Sequence, residues 1–212
     1  IAIMSRELVT RFPQIYDYTT VWMEDITHVT RQGTKVFGLT NTNKLLRSYE
    51  GCKGLKTGST SIAKYCLSAT AVRNGIELIS VIMTAPNSKT RFANAAALLN
   101  YGFGKCVLYT DENKDVLPEI RVKRGVEKTV PCRYEGEFNY LDTDGADLSA
   151  IKKEIVMQEE MEAPLLNGDS AGEAQYFLNG KKIGAVKLLV DKDVEKAGFF
   201  DYLKEAWYAY LC

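Results

Sequence analysis

The chain has 212 residues, 46% hydrophobic and 25% charged, with Lys+Arg 27 balanced by Asp+Glu 27. That length fits one large or two small domains, and the composition excludes collagen, a long coiled coil and intrinsic disorder. Zero formal charge argues against a nucleic-acid footprint over the whole chain, and no apolar run approaches the roughly 20 residues of a membrane-spanning helix.

The neutral total hides an asymmetry. Residues 1–104 hold 12 Lys/Arg and 6 Asp/Glu, whereas residues 105–212 hold 15 and 21. A change of sign at mid-chain predicts two domains. Five cysteines (Cys52, Cys66, Cys106, Cys132 and Cys212) show no CxxC spacing and have only His28 as a companion, so no metal site is expected. They are expected as buried free thiols, and His28 as a half-buried structural residue.

In chain order, IAIMSRELVTRF reads as the interior of an amphipathic helix, with Ile1, Met4 and Leu8 on one face and Arg6 and Glu7 turned away. No cap precedes it, so the chain reads as a piece of a longer protein. Pro13 to Thr20 reads as a turn and a short connection. Residues 21–46 are polar and β-tending, with Gly33 and Gly38 as breaks. GCKGLKTGST is an extended segment, and residues 64–72 and 76–84 are two strands joined by Arg73-Asn74-Gly75. Asn-Gly between apolar runs is a strong hairpin signal because both residues tolerate positive φ. Three consecutive antiparallel strands result, the first bearing Lys56-Thr57-Gly58. A helix follows, with Ser88 as cap, a stripe of Phe92, Ala95, Ala96 and Leu99, and Gly102 at its stop. Sheet and helix close a domain near Lys105.

Residues 106–197 consist of short β-like runs with a second hairpin signal at Asn179-Gly180, which predicts a small all-β domain. In the tail FFDYLKEAWYAYLC, residues Phe199, Phe200, Leu203, Ala206, Trp207 and Tyr210 form a stripe opposite Asp201, Lys204 and Glu205. Such aromatics suit a membrane surface, but the polar face is not basic, so docking onto protein stands level with it.

Lys56-Thr57-Gly58 on a strand edge offers an ammonium and a hydroxyl, and Gly58 lets a ligand backbone approach. The next amide, on Ser59, can face a developing oxyanion. Arg91 falls in the first turn of the following helix, where the macrodipole disfavours a cation. That placement hints at an anionic ligand, and Arg suits bidentate carboxylate recognition, but on this hint alone a solvated surface arginine is the preferred reading.

The run NTNKLLRSYEGCKGLKTGSTSIAKYCLSATAVRNGIELISVIMTAPNSKTRFANAAALLNYGF closely resembles the serine-type D-alanyl-D-alanine carboxypeptidases, the low-molecular-mass penicillin-binding proteins. IAIMSREL resembles the helix after their second active-site motif, and EAPLLNGDSAGEAQYFLNGKKI their β-rich C-terminal domain. The resemblance implies an α/β fold: residues 1–105 as the later part of a transpeptidase-like domain, 106–197 as the β-rich accessory domain, and 198–212 as an interfacial tail.

By the same resemblance Lys56 supports proton traffic, the Ser59 amide lines the oxyanion hole, and Thr57 with Arg91 holds the terminal carboxylate of D-Ala-D-Ala. Gly58 and Thr60 fall in the substrate-binding stretch. No cofactor is implied. The implied partners are a peptidoglycan stem peptide, β-lactam inhibitors, the rest of the same protein and, for the tail, a membrane surface. The implied location is the outer face of the bacterial cytoplasmic membrane. The family's SxxK and SxN motifs are expected upstream of Ile1; the run Ser59-Thr60-Ser61-Ile62-Ala63-Lys64 is set aside for wrong spacing and wrong element. A β-lactamase and a non-catalytic wall-binding homologue are the rival readings.

Overall fold

The computed structural model describes residues 1–211; Cys212 lies outside them. The chain divides into two compact units, Ile1–Leu108 with Thr143–Gly145, and Tyr109–Asp142 with the chain from Ala146 onward.

In the first unit, α1 (Ala2–Arg11), a 3-10 turn (Pro13–Ile15) and α2 (Tyr16–Thr19) lead into β1 (Met23–Thr30) and β2 (Gly33–Thr40). Then come α3 (Leu45–Ser48), β3 (Cys52–Thr60), β4 (Lys64–Arg73), β5 (Ile76–Ala85) and α4 (Ser88–Lys105). Strands β3-β4-β5 form an antiparallel sheet in that order, so β3 is an outer strand. The expected hairpin forms at Asn74-Gly75, with φ of 50° and 76°, the left-handed pair a two-residue turn requires. Leu67, Ala69, Ile82 and Ala85 pack with Leu45 and Ala95 into this unit's core.

Helix α1 differs from expectation. Ser5 and Val9 are its buried residues, whereas Ile1, Met4 and Leu8 are exposed. The face is set by a tertiary partner, since the Ser5 and Ser68 hydroxyls lie 2.7 Å apart in the interior. Residues 21–46 also differ. They hold a hairpin with Arg31-Gln32 at its tip, in register from Met23↔Thr40 to Thr30↔Gly33. Gly33 opens a strand and Gly38 lies inside one, so neither breaks the element. Every residue of both strands is exposed, His28 included, which lies edge-on to Phe37 instead of half-buried.

In α4 the expected stripe faces the sheet, with Ala95 and Leu99 buried and Phe92 and Ala96 packed against the core. Two details are corrected. Asn87 is the cap, its Oδ1 accepting from Thr90 N at 2.8 Å, which releases the Ser88 hydroxyl. Gly102 sits within the helix; a Cβ there would lie 2.6 Å from Leu78 Cδ1, so this glycine serves close packing on β5 and not the helix stop.

The second unit begins in β6 (Val107–Asp111) and continues through β7 (Ile120–Lys123), β8 (Thr129–Val130), β9 (Cys132–Tyr134) and β10 (Phe138–Asp142). A 3-10 turn (Leu148–Ala150) precedes β11 (Lys152–Met157), β12 (Glu160–Glu162), β13 (Ser170–Leu178), β14 (Lys181–Val190) and α5 (Phe199–Leu211). Its largest sheet has the order β11-β13-β14-β9, and β12 pairs in parallel with β7. The Asn179-Gly180 turn joins β13 and β14 with the same left-handed pair, φ 51° and 78°. Val130, Leu188, Val190 and Tyr176 are fully buried, with Phe138 stacked on Tyr176 at 3.7 Å between ring centres.

Among the described residues no helix is long and apolar enough to cross a membrane. Phe199, Phe200, Leu203, Trp207 and Tyr210 of α5 are exposed, as are Asp201 and Lys204; Glu205 lies outside the described side chains. Cys52, Cys66, Cys106 and Cys132 are free but half-buried, a correction to the expected full burial.

Candidate active site

Strand β3 carries Lys56, Thr57, Gly58, Ser59 and Thr60 along the sheet's outer edge. Alternation sends neighbours to opposite faces. Lys56 pairs with Ser68 and shares the face where Ser5 of α1 packs; its exposed ammonium donates to the Thr57 carbonyl at 2.6 Å. Thr57 pairs with Leu67 and shares the face covered by α4; it is 9% exposed, and its hydroxyl lies 2.5 Å from that of Thr42. At Gly58 an added Cβ would meet nothing within 4 Å, so the edge stays open to a ligand backbone. Ser59 is exposed on the same outer strand, where alternate amides point away from the sheet. Thr60 ends the strand, and its exposed hydroxyl accepts from Ala63 N at 2.9 Å, which leaves its proton free to donate.

Arg91 reaches this strand from α4. It is only 6% exposed, and its Nη1 donates to the carbonyls of Gly58 (3.3 Å) and Cys66 (3.2 Å). Its Nη2 donates to Ser88 Oγ at 3.3 Å, the use to which the displaced cap is put. The guanidinium lies 4.6 Å from the Phe92 ring centre and 5.6 Å from that of Tyr65. Burial lowers its pKa from the usual arginine value. Its Nε is buried without a partner, and no carboxylate pairs with it among the described residues. A desolvated cation held only by neutral oxygens has capacity left for an anion.

Residues 1–87 match the D-alanyl-D-alanine carboxypeptidase family, and residues 109–196 match the C-terminal domain of penicillin-binding protein 5. The D-alanyl-D-alanine carboxypeptidase DacF of Bacillus subtilis is 30% identical over 205 residues, 96% of this chain and 51% of that protein. DacC of Escherichia coli is 33% identical over 163 residues, 76% of this chain and 40% of that protein. Penicillin-binding protein 5 of Haemophilus influenzae superposes with a TM-score of 0.64 at 28% identity, over 92% of this chain and 55% of its own.

The chain belongs to the low-molecular-mass penicillin-binding proteins. It spans about half the length, or less, of the curated relatives it matches.

In this penicillin-binding protein chain, spacing is not what excludes the Ser59–Lys64 run. Ser61 and Lys64 do stand at the literal SxxK spacing, as do Ser149 and Lys152. Their elements exclude them. Ser61 and Lys64 flank the exposed β3–β4 turn, with Lys64 at φ 51°, and Ser149 lies in the 3-10 turn before β11. Neither pair stands on a helix that could aim both side chains into one cleft.

The residues that sequence reasoning passed over are those that brace the site. Asn41 Nδ2 donates to the carbonyls of Thr19 (3.1 Å) and Val21 (2.9 Å), and its Oδ1 accepts from Asn43 N at 2.9 Å. Asn43, 1% exposed, accepts from Leu45 N at 3.2 Å. The signal was the polar triplet Asn41-Thr42-Asn43, one residue ahead of the apolar pair Leu45-Leu46.

Proposed function

We propose that the complete protein carrying this chain is a serine-type D-alanyl-D-alanine carboxypeptidase, and that this chain supplies the wall of the site that grips the substrate's terminal carboxylate. The observation that carries the reading is Arg91, buried and without a carboxylate partner among the described residues, at the edge strand that bears Lys56 and Thr57.

The stem peptide lies along the open edge of β3, with its terminal carboxylate held by the Thr57 hydroxyl and drawn by the Arg91 charge. A serine outside this chain attacks the penultimate D-Ala carbonyl. The Ser59 amide donates to the oxygen that gains charge, a kind of contact whose removal costs roughly 3–4 kcal/mol. The C–N bond then breaks, the terminal D-Ala leaves with a proton on its amine, and water hydrolyses the acyl-enzyme ester. The Lys56 ammonium favours the anionic states along this path and passes protons. A β-lactam offers the same carboxylate and acyl carbon, so it enters the same site as an inhibitor. Peptidoglycan lies outside the cytoplasmic membrane, and the exposed aromatic residues of α5 support a place at that membrane's outer surface.

The test uses the full-length protein. Its intact mass rises by one drug mass after incubation with a penicillin, and it releases D-Ala from a D-Ala-D-Ala peptide. Lys56→Ala lowers kcat/KM for that release by roughly 10²–10⁴-fold, and Arg91→Ala by roughly tenfold or more. No adduct and no released D-Ala would overturn the reading.

A further inference from the structure

We propose that Thr42 is a positioning residue for Thr57: its hydroxyl donates to the Thr57 hydroxyl and leaves the Thr57 proton free for the substrate carboxylate. The inference rests on the carboxypeptidase reading above.

The two oxygens are 2.5 Å apart, at the short end of the O–H···O range. A hydroxyl owns one proton and two acceptor positions, whereas a carboxylate only accepts. If Thr57 holds a carboxylate, its single proton points at the ligand, and it meets Thr42 with a lone pair. The bond between the threonines must then run from Thr42 to Thr57. The opposite direction would turn the lone pairs of Thr57 toward an anion. Thr42 therefore sets both the rotamer and the polarity of the group that meets the substrate.

The loop suits that task. Asn41 fastens it to the carbonyls of Thr19 and Val21, and buried Asn43 fastens it to the start of α3. Thr42 sits between these anchors and is itself exposed, so core packing does not require its side chain.

The experiment measures D-Ala release by the full-length protein with Thr42→Val, Thr42→Ser, Thr57→Val and the Thr42→Val/Thr57→Val double variant. Thr42→Val keeps the shape and removes the donor. It lowers kcat/KM roughly three- to tenfold, the worth of one hydrogen bond, mostly through KM. Thr42→Ser restores the wild-type value. In the Thr57→Val background, Thr42→Val causes no further loss, because it acts only through Thr57. An unchanged kcat/KM for Thr42→Val, or the same loss in both backgrounds, overturns the proposal. Wild-type protein that releases no D-Ala is a different failure, since it removes the carboxypeptidase reading and this inference with it.

Discussion

At the scale of the residue, Arg91 occupies a helix start that its own charge disfavours and an interior that desolvates it. The backbone carbonyls of Gly58 and Cys66 offset part of that cost. The dipole hint was legible in the sequence; the partners were not, because carbonyls carry no sequence signature. Gly172 shows the same limit. It sits at φ +151°, and a Cβ would fall 2.2 Å from the Val156 carbonyl oxygen and 2.8 Å from Met157 Cα. Both obstacles are backbone and cannot swing aside, so Gly172→Ala is expected to destabilise the β-rich unit by about 2–4 kcal/mol. Gly180→Ala, at φ +78° with open space around it, is expected to cost only about 1 kcal/mol. Urea denaturation of the two variants, followed by hydrogen exchange in β13, checks the difference.

At the scale of the element, one polar cluster ties three strands together. Lys153 of β11 bonds Asp111 of β6 at 3.1 Å and Asp115 at 2.7 Å, while the Tyr176 hydroxyl of β13 donates to Asp111 at 3.0 Å. Burial pushes the Asp111 carboxyl up, but hydrogen bonds from Asn113 N, Lys153 and Tyr176 outweigh it and hold its pKa below the usual carboxylate value. Burial likewise works against the Lys153 charge, and its bonds to Asp115 and Asp111 more than reverse this. A depressed carboxylate stabilises the fold above its unfolded pKa, about 3.9, and the gain is lost as pH falls through the folded value. A raised lysine stabilises below about 10.4, and that gain is lost as pH rises through its folded value. The cluster's stabilising contribution is therefore full between roughly pH 4 and 10 and fades beyond, as each folded value is passed. Asp111→Asn is expected to cost about 1–2 kcal/mol at pH 7, discounted for partial exposure. It is also expected to flatten the acid-side fall in stability, which thermal melts of wild type and variant across acid pH would record.

The hairpins at Asn74-Gly75 and Asn179-Gly180 and the stripe of α4 were readable because each signal is local. The ribbon β1–β2 was not, since both its faces are wet and no alternation marks an inside. Helix α1 was misjudged because a buried hydroxyl pair, Ser5 with Ser68, outweighed its apolar pattern in fixing the face.

At the scale of the whole molecule, the change of charge sign near residue 105 falls close to where the two compact units meet in sequence. The site strand could be read from Lys-Thr-Gly and its hairpin, but the bracing loop at Asn41–Asn43 emerged only once distant segments were seen together. The exposed apolar residues of α1 mark the first unit's surface; Ile3 and Met4 are 72% and 73% exposed. Patches of this kind bind apolar dyes. The 212-residue chain is therefore expected to bind an anilinonaphthalene sulfonate probe, and the Ile3→Lys/Met4→Lys pair to lower that fluorescence relative to wild type, α5 supplying the remainder.

The ribbon β1–β2 contributes nothing to the core, and an isolated two-stranded ribbon is marginally stable. Its tip, with Arg31 and nearby Lys35, is therefore a preferred place for limited tryptic cleavage. The nick would fall between the anchored bases of the ribbon, because Asn41 still holds the carbonyls of Thr19 and Val21. The cut halves would stay together through gel filtration, and a full-length protein so nicked would still capture penicillin.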